Sequence, residues 1–206
     1  DVVGYAADQI MAFDYKIDAT TKKIAVDPAT NIPVQGDLKP WGSAFAKWIG
    51  GWNNEFSYDK LSLSFLIDGK FGGKIFSATD YYGYFFGLHQ ATLVGRGTNF
   101  NPSGTTVVKA QVYYSTLAQN VSKLFVQDAS FIKLRQVALN YSMPAKWFNN
   151  AIQGLTVSLV ARNLFYLMKK TDNIDPEAAI TAAAQGLELG GVPPSRTYGL
   201  NLNFKF

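Results

Sequence analysis

Few side chains in this sequence could do covalent or metal chemistry. It has no cysteine and one histidine, His89. Thiolate metal sites, disulfides and a cysteine nucleophile are therefore excluded, and a Ser/His/Asp set would have to rest on His89 alone. His89 has no partner at ligand spacing. Asp172, Asp175 and Glu177 put three carboxylates within six residues. Calcium wants several oxygen ligands, but the glycine-centred spacing of its commonest loop is missing, so these carboxylates read as fixing loop backbone. The stretch GKFGGK (69–74) fails as a phosphate loop, because its glycines are too close and Ile75 replaces the required Ser/Thr. Glu55 and Asp68 share a face by parity but define no cleft. The expectation is no catalytic, metal or cofactor site, and no enzyme. What remains is recognition chemistry. The aromatic run Tyr81, Tyr82, Tyr84, Phe85 and Phe86 offers flat faces that stack on sugar rings, or that pack a loop against a lid or its neighbours. Asn53, Glu55, Ser64 and Arg162 are polar candidates on strand faces, for lining a lumen or for hydrating a wall.

The elements that must position these residues read as strands. In WIGGWNNEFSY, Trp48, Trp52, Phe56 and Tyr58 fall on one face, with Asn53, Glu55 and Ser57 on the other. A two-residue step, Asp59-Lys60, leads into LSLSFLID, where Leu61, Leu63, Phe65 and Ile67 oppose Ser62, Ser64 and Asp68. This predicts a hairpin with a tight turn. Alternation returns in FIKLRQVALNYSM, where Lys133 and Arg135 share parity with Val137, Leu139 and Tyr141, so the apolar face turns charged toward one end. Pro144 ends that strand, and AKWFNNAIQ is expected to hold one helical turn. GLTVSLVARNLF alternates again. In the last strand Tyr198, Leu200, Leu202, Phe204 and Phe206 oppose Thr197, Gly199, Asn201, Asn203 and Lys205. A weaker strand is expected between Val2 and Tyr15, and a strand or short helix at Val107–Thr116. Residues 19–47 read as loop. Long loops are expected near 69–106 and 166–194, the second with a short helix in EAAITAAAQGL.

Composition narrows the class. The chain has 206 residues, 48% hydrophobic and 15% aromatic, with only 17% charged. That much apolar surface excludes disorder. No window approaches the ~18 apolar residues of a spanning helix. The net charge of +4 is dispersed, with no basic stripe for nucleic acid. Alternation alone fits a soluble sandwich as well as a membrane barrel. Three features favour the barrel. Short and long connections alternate, apolar faces end in aromatics, and opposite faces are small and polar. A chain ending on alternating aromatics also looks like an outer-membrane assembly signal, carried by Tyr198, Leu202, Phe204 and Phe206. The expectation is an all-β chain in which residues 1–206 form an arc of a larger antiparallel transmembrane barrel, in an outer membrane. The start at Asp1, without an initiator Met, agrees with one piece of a longer chain. The alternative is an autonomous β-rich glycan-binding protein or a small closed barrel.

Several stretches resemble one family. VGYAADQIMAFDY (3–15), WIGGWNNEFSYDKLSLSFLIDGKFGGKIFS (48–77), VQDASFIKLRQVALNYSMPAKW (126–147), LVARNLF (159–165) with DPE (175–177), and PSRTYGLNLNFKF (194–206) are similar, in order, to the C-terminal part of SusC/RagA-family TonB-dependent transporters. Ala46-Lys47-Trp48-Ile49 departs from the family's usual Pro-Asp, and Tyr81–Gln127 matches little. The resemblance implies a plugged barrel of ~22 strands, larger than 206 residues can supply at ~10 residues per strand. It implies a plug and TonB box in an N-terminal region, a SusD-like surface lipoprotein as lid, and import of oligosaccharides or peptides. The implied partners are that lipoprotein, TonB, the remainder of the barrel, and lipid and lipopolysaccharide.

Overall fold

The computed structural model describes residues 3–98, 100, 106–148, 152–178 and 185–205. Two compact units emerge. The sheet unit comprises 47–71, 130–170 and 193–206; the loop unit comprises 1–46, 72–129 and 171–192.

The sheet unit is five antiparallel strands in the order β10-β8-β7-β4-β3. They are β3 (Trp48–Tyr58), β4 (Leu61–Phe71), β7 (Phe131–Pro144), β8 (Gly154–Lys169) and β10 (Thr197–Lys205). These are the five alternating segments of the sequence, and at 9 to 16 residues each is at least as long as the ~9 residues of a tilted membrane strand. Tyr58 pairs with Leu61 across Asp59-Lys60, and Asp59 takes a left-handed φ of 49°. Asp tolerates that conformation, which closes the turn in two residues. A 3-10 turn at Ala145–Phe148 follows Pro144, as expected. The sheet is not closed on itself: β10 and β3 are its edges.

Register fixes two faces. Trp52, Ile67, Val137, Leu139, Leu159 and Leu200 lie on one, with Asn53, Ser64, Gln136, Asn140, Thr156 and Asn201 on the other. The apolar face is the exposed one: Trp48, Trp52, Phe56, Leu159, Tyr198 and Leu200 are each about half exposed or more. Trp52 packs edge-on to Phe65 at 5.3 Å and Phe56 stacks on Phe65 at 6.1 Å. The Trp48 ring lies across Gly50, where a Cβ would meet it at 2.5 Å.

One expectation about this sheet is corrected. Lys133 and Arg135 do not share the apolar face. Leu66 pairs with Gln136 while Ile67 pairs with Leu134, so Arg135 is an extra residue bulged out of the ladder. A bulge shifts every later side chain to the opposite face. Lys133 therefore lies opposite Asp68, on the polar face, and the apolar face continues through Leu134 and Ile132.

The loop unit holds an ordinary buried core. β1 (Gln9–Tyr15) pairs with β2 (Gln35–Ser43), so a strand lies inside residues 19–47, where the sequence reads as loop. Its glycine and proline hide it; Gly36 has no room for a Cβ because Tyr15 O lies 2.6 Å away. β5 (Lys74–Ser77) pairs with β6 (Val126–Asp128) and, in parallel, with the short β9 (Leu187–Glu188). Helix α1 spans Ala78–Phe85, and α2 (Ala110–Asn120) resolves the strand-or-helix ambiguity toward helix. Ile75, Ala118, Val121 and Phe125 are 0–1% exposed. In the alanine-rich stretch, 179–184 lie outside the described residues.

Candidate functional site

The aromatic run divides by helical periodicity. Ser77 caps α1, its Oγ accepting from the Asp80 amide at 3.0 Å. From that start, Tyr81 and Tyr84 turn inward onto Phe125, at 5.5 and 5.3 Å. Phe85 stacks on Tyr81 at 6.2 Å. Burial pushes the Tyr84 phenol above its ordinary pKa. Tyr82 and Phe86, four residues apart, stack on each other at 6.0 Å and are 54% and 57% exposed. The structure thus separates three packing aromatics from a two-ring shelf.

Beside them sits a polar clasp that the sequence did not reveal. Buried Asp80 accepts from Gln127 Nε2 at 2.5 Å and from Asn173 Nδ2 at 3.2 Å. Gln127 Oε1 accepts from the Asp172 amide at 2.7 Å. His89 Nδ1 accepts from the Ala91 amide at 3.1 Å, and its Nε2 lies 3.7 Å from Asp80. His89 joins the clasp through Asn173, whose Nδ2 lies 3.0 Å from His89 Nε2, and it caps a 3-10 turn at Gln90–Leu93. Asp175 accepts from the Glu177 amide at 2.8 Å, a loop-fixing bond. No group of three His, Cys, Asp or Glu able to hold a metal occurs among the described residues.

Glu188 is the most enclosed acid, 1% exposed. Burial alone would raise its pKa. Donation from the Thr79 hydroxyl at 2.8 Å and from the amides of Thr79, Gly190 and Gly191 outweighs that and holds it below the ordinary carboxylate value. It fastens β9 beside the first turn of α1, where a negative charge also meets the helix dipole. A second anchor is Lys123, which pairs with Asp14 and lies 4.7 Å over both Tyr15 and Trp41. Its contacts and those of Lys39 hold Asp14 below its ordinary pKa, against the opposing effect of burial.

On the sheet, the polar face organises around the Arg135 bulge. Arg135 Nε donates to Asp68 Oδ2 at 2.9 Å, and Nη2 donates to the same oxygen at 2.7 Å. Nη1 donates to Asn163 Oδ1 at 3.4 Å. Asn163 takes φ 53° and its Nδ2 donates to Ser195 O at 3.3 Å, so the bulge is locked from both neighbouring strands. Lys133, 2% exposed, lies 4.6 Å over the Tyr166 ring. Arg162 Nε donates to Gln136 Oε1 at 3.1 Å. Asn53, Glu55, Ser64 and Arg162 all lie on this face by register. Tyr198, Leu202 and Phe204 lie on the apolar face of β10, opposite Ala161, Val157 and Leu155. Phe206 lies outside the described residues.

Comparisons with known proteins agree with this architecture. No protein-family model matches the chain. TonB-dependent receptor P26 of Formosa agariphila is 31% identical over 175 residues, covering 80% of this chain and 17% of that protein. TonB-dependent receptor SusC of Bacteroides thetaiotaomicron is 22% identical over 210 residues, covering 99% of this chain and 20% of its own length. Among solved structures, the RagAB peptide transporter matches with TM-score 0.69 and 21% identity, over 96% of this chain and 22% of that one. The RagAB peptide importer in its closed-closed state matches with TM-score 0.66 and 24% identity, over 96% of this chain and 23% of that one. The chain thus spans about a fifth of the length of the curated relatives it matches.

Proposed function

Because this chain belongs to the SusC/RagA-type TonB-dependent receptors of the outer membrane, we propose that it forms part of the wall and loops of a nutrient importer. A receptor segment of this kind is not an enzyme, and the five-stranded sheet is an arc of the receptor barrel. The observation that carries the reading is the inverted sheet. Its aromatic and aliphatic face is open while its opposite face is Ser, Asn, Thr and Gln. An apolar face of that extent is stable against lipid and costly against water, whereas the polar face suits a hydrated or plugged lumen.

On this reading the short turns at Asp59-Lys60 and Ala145–Phe148 face the periplasm. The β4–β7 and β8–β10 connections are the extracellular loops, following the outer-membrane plan of short inner turns and long outer loops. The exposed Tyr82/Phe86 shelf belongs to those loops and contacts cargo or a SusD-like lipoprotein lid. Tyr198, Leu202, Phe204 and Phe206 serve as the assembly signal of the last strand. The cargo is an oligosaccharide or peptide, admitted when TonB acts on a plug supplied by the rest of the receptor. Support for a lipoprotein partner comes from the two-component RagAB complexes to which the fold is similar.

The test uses the complete receptor in its outer membrane. Growth on oligosaccharides and on peptides is compared in cells with and without the receptor and with and without TonB, and purification is followed by identification of partners. The reading expects loss of growth on one of the two nutrient classes in either deletion, and a lipoprotein co-purifying. Growth that persists without TonB, or a receptor recovered in the soluble fraction, would overturn it.

A further inference from the structure

We infer that Arg162 and the hollow beside it form a binding subsite for an acidic unit of the cargo, a sugar or amino acid bearing a carboxylate. This inference rests on the importer reading, because it places the polar sheet face toward the transport path.

Charge is segregated along the chain. The only acids of the sheet unit are Glu55, Asp59 and Asp68, against eleven Lys and Arg. The strand ends marked by Trp48, Phe71, Phe131 and Lys169 are the ends that carry the long connections. In that half of the polar face the register places Lys70, Lys133, Arg162 and Lys169, and the bulged Arg135 binds Asp68 there. A wall with more basic than acidic groups, beside low-dielectric protein, draws ligands of negative charge.

Within this field Arg162 has the geometry of an anchor. Gln136 engages its Nε, which fixes the guanidinium plane. The Nη groups make no hydrogen bond among the described residues and stand on an exposed side chain. Beside it lies a hollow of about 280 Å³, lined by Val160, Arg162, Thr197, Gly199, Leu200 and Asn201. Gly199 borders the hollow, and a Cβ there would meet nothing nearer than Val160 O at 4.0 Å. Thr197 and Asn201 line the same recess. A planar fork at the rim of a mostly apolar recess suits bidentate capture of a carboxylate, while the recess takes the apolar body of the unit that carries it.

The experiment measures binding to the complete purified receptor and uptake by cells carrying it. Probes are oligogalacturonate and oligoglutamate, each against a neutral oligomer of equal length, maltooligosaccharide and oligoglutamine. Variants are R162Q, R162K and G199V, with barrel assembly confirmed by heat-dependent gel mobility. The expected result is preference for one acidic probe over its neutral counterpart. R162Q lowers that binding roughly 10-fold, the size of a lost charge-assisted hydrogen bond. G199V does the same by filling the hollow with the charge intact, R162K falls between, and binding of neutral probes is unchanged. The acidic probe that responds identifies the source of the carboxylate. Neither acidic probe binding better than its neutral partner, or variants that change acidic and neutral binding alike, would overturn the subsite and leave the importer reading standing. A variant that leaks both kinds of probe without TonB would assign Arg162 to holding the plug instead. Cells that take up no probe at all, with or without TonB, would sink the importer reading itself.

Discussion

The two units of this chain bury apolar surface by opposite rules. In the loop unit Phe125, Val121, Ala118 and Ile75 are sealed inside, and buried acids such as Glu188 and Asp80 are wrapped in donors. In the sheet unit Phe131 and Ala138 are the only buried hydrophobic residues among those described, and every residue of β10 is exposed. The difference teaches that hydrophobic residues seek the least watery neighbour on offer. For the loop unit that neighbour is its own interior; for the sheet it is lipid and adjoining strands.

Substitutions can break or sharpen this contrast. The largest effect is expected in the loop unit. Phe125→Ala removes a ring that packs Phe76, Tyr81 and Tyr84, and should cost about 3–5 kcal/mol, read as earlier proteolysis of the loops with the barrel intact. Next comes the sheet. Leu159→Arg on the apolar face should destabilise the barrel by about 2–4 kcal/mol in denaturant unfolding from micelles, whereas Asn203→Arg on the polar face of β10 should cost well under ~1 kcal/mol. Equal effects at the two positions would refute the assignment of faces.

A smaller effect separates the buried acids. Glu188 has a depressed pKa, so its stabilisation is present above the unfolded carboxylate value of about 4.5 and is lost as pH falls through the lower folded value. Glu188→Gln should therefore cost about 1–3 kcal/mol at neutral pH and progressively less as pH falls below that value, measured by hydrogen exchange at β9 and the start of α1. A pH-independent deficit would remove the charge from the explanation. At the bulge, Asn163→Ala should cost about 1–2 kcal/mol, because alanine resists a φ of 53°. The smallest change is Asp59→Gly in the turn, expected within ~0.5 kcal/mol of wild type.

Much of the sheet was legible in the residues. The hairpin around Asp59-Lys60, the turn after Pro144 and the face of β10 all followed from period-two alternation. The Arg135 bulge was not legible, because parity counting assumes one residue opposite one. Only the pairing of Leu66 with Gln136 and Ile67 with Leu134 exposes the extra residue. β2 was hidden because GDLKPWG carries the punctuation of a loop, and its pairing with β1 overrides that local preference. Within the aromatic run, type alone could not separate Tyr81 and Tyr84 from Tyr82 and Phe86. The phase of α1, set by the Ser77 cap, does so. Glu188 was not legible because two of its donors, Ser77 and Thr79, lie far away in sequence, and only the Gly190 and Gly191 amides are local. The run Glu-Leu-Gly-Gly was the sole local hint.

The sequence by itself determined the five long strands, their two chemistries and the tight turns, because alternation and turn residues act over a few neighbours. The tertiary structure alone decided which polar side chains meet. Asp68 finds Arg135, Asp80 finds Gln127 and Asn173, and Arg162 finds Gln136 beside the hollow at Gly199. Those meetings depend on register and bulges summed over distant segments, and a hydrogen bond over about 3 Å tolerates no error of one residue in that sum.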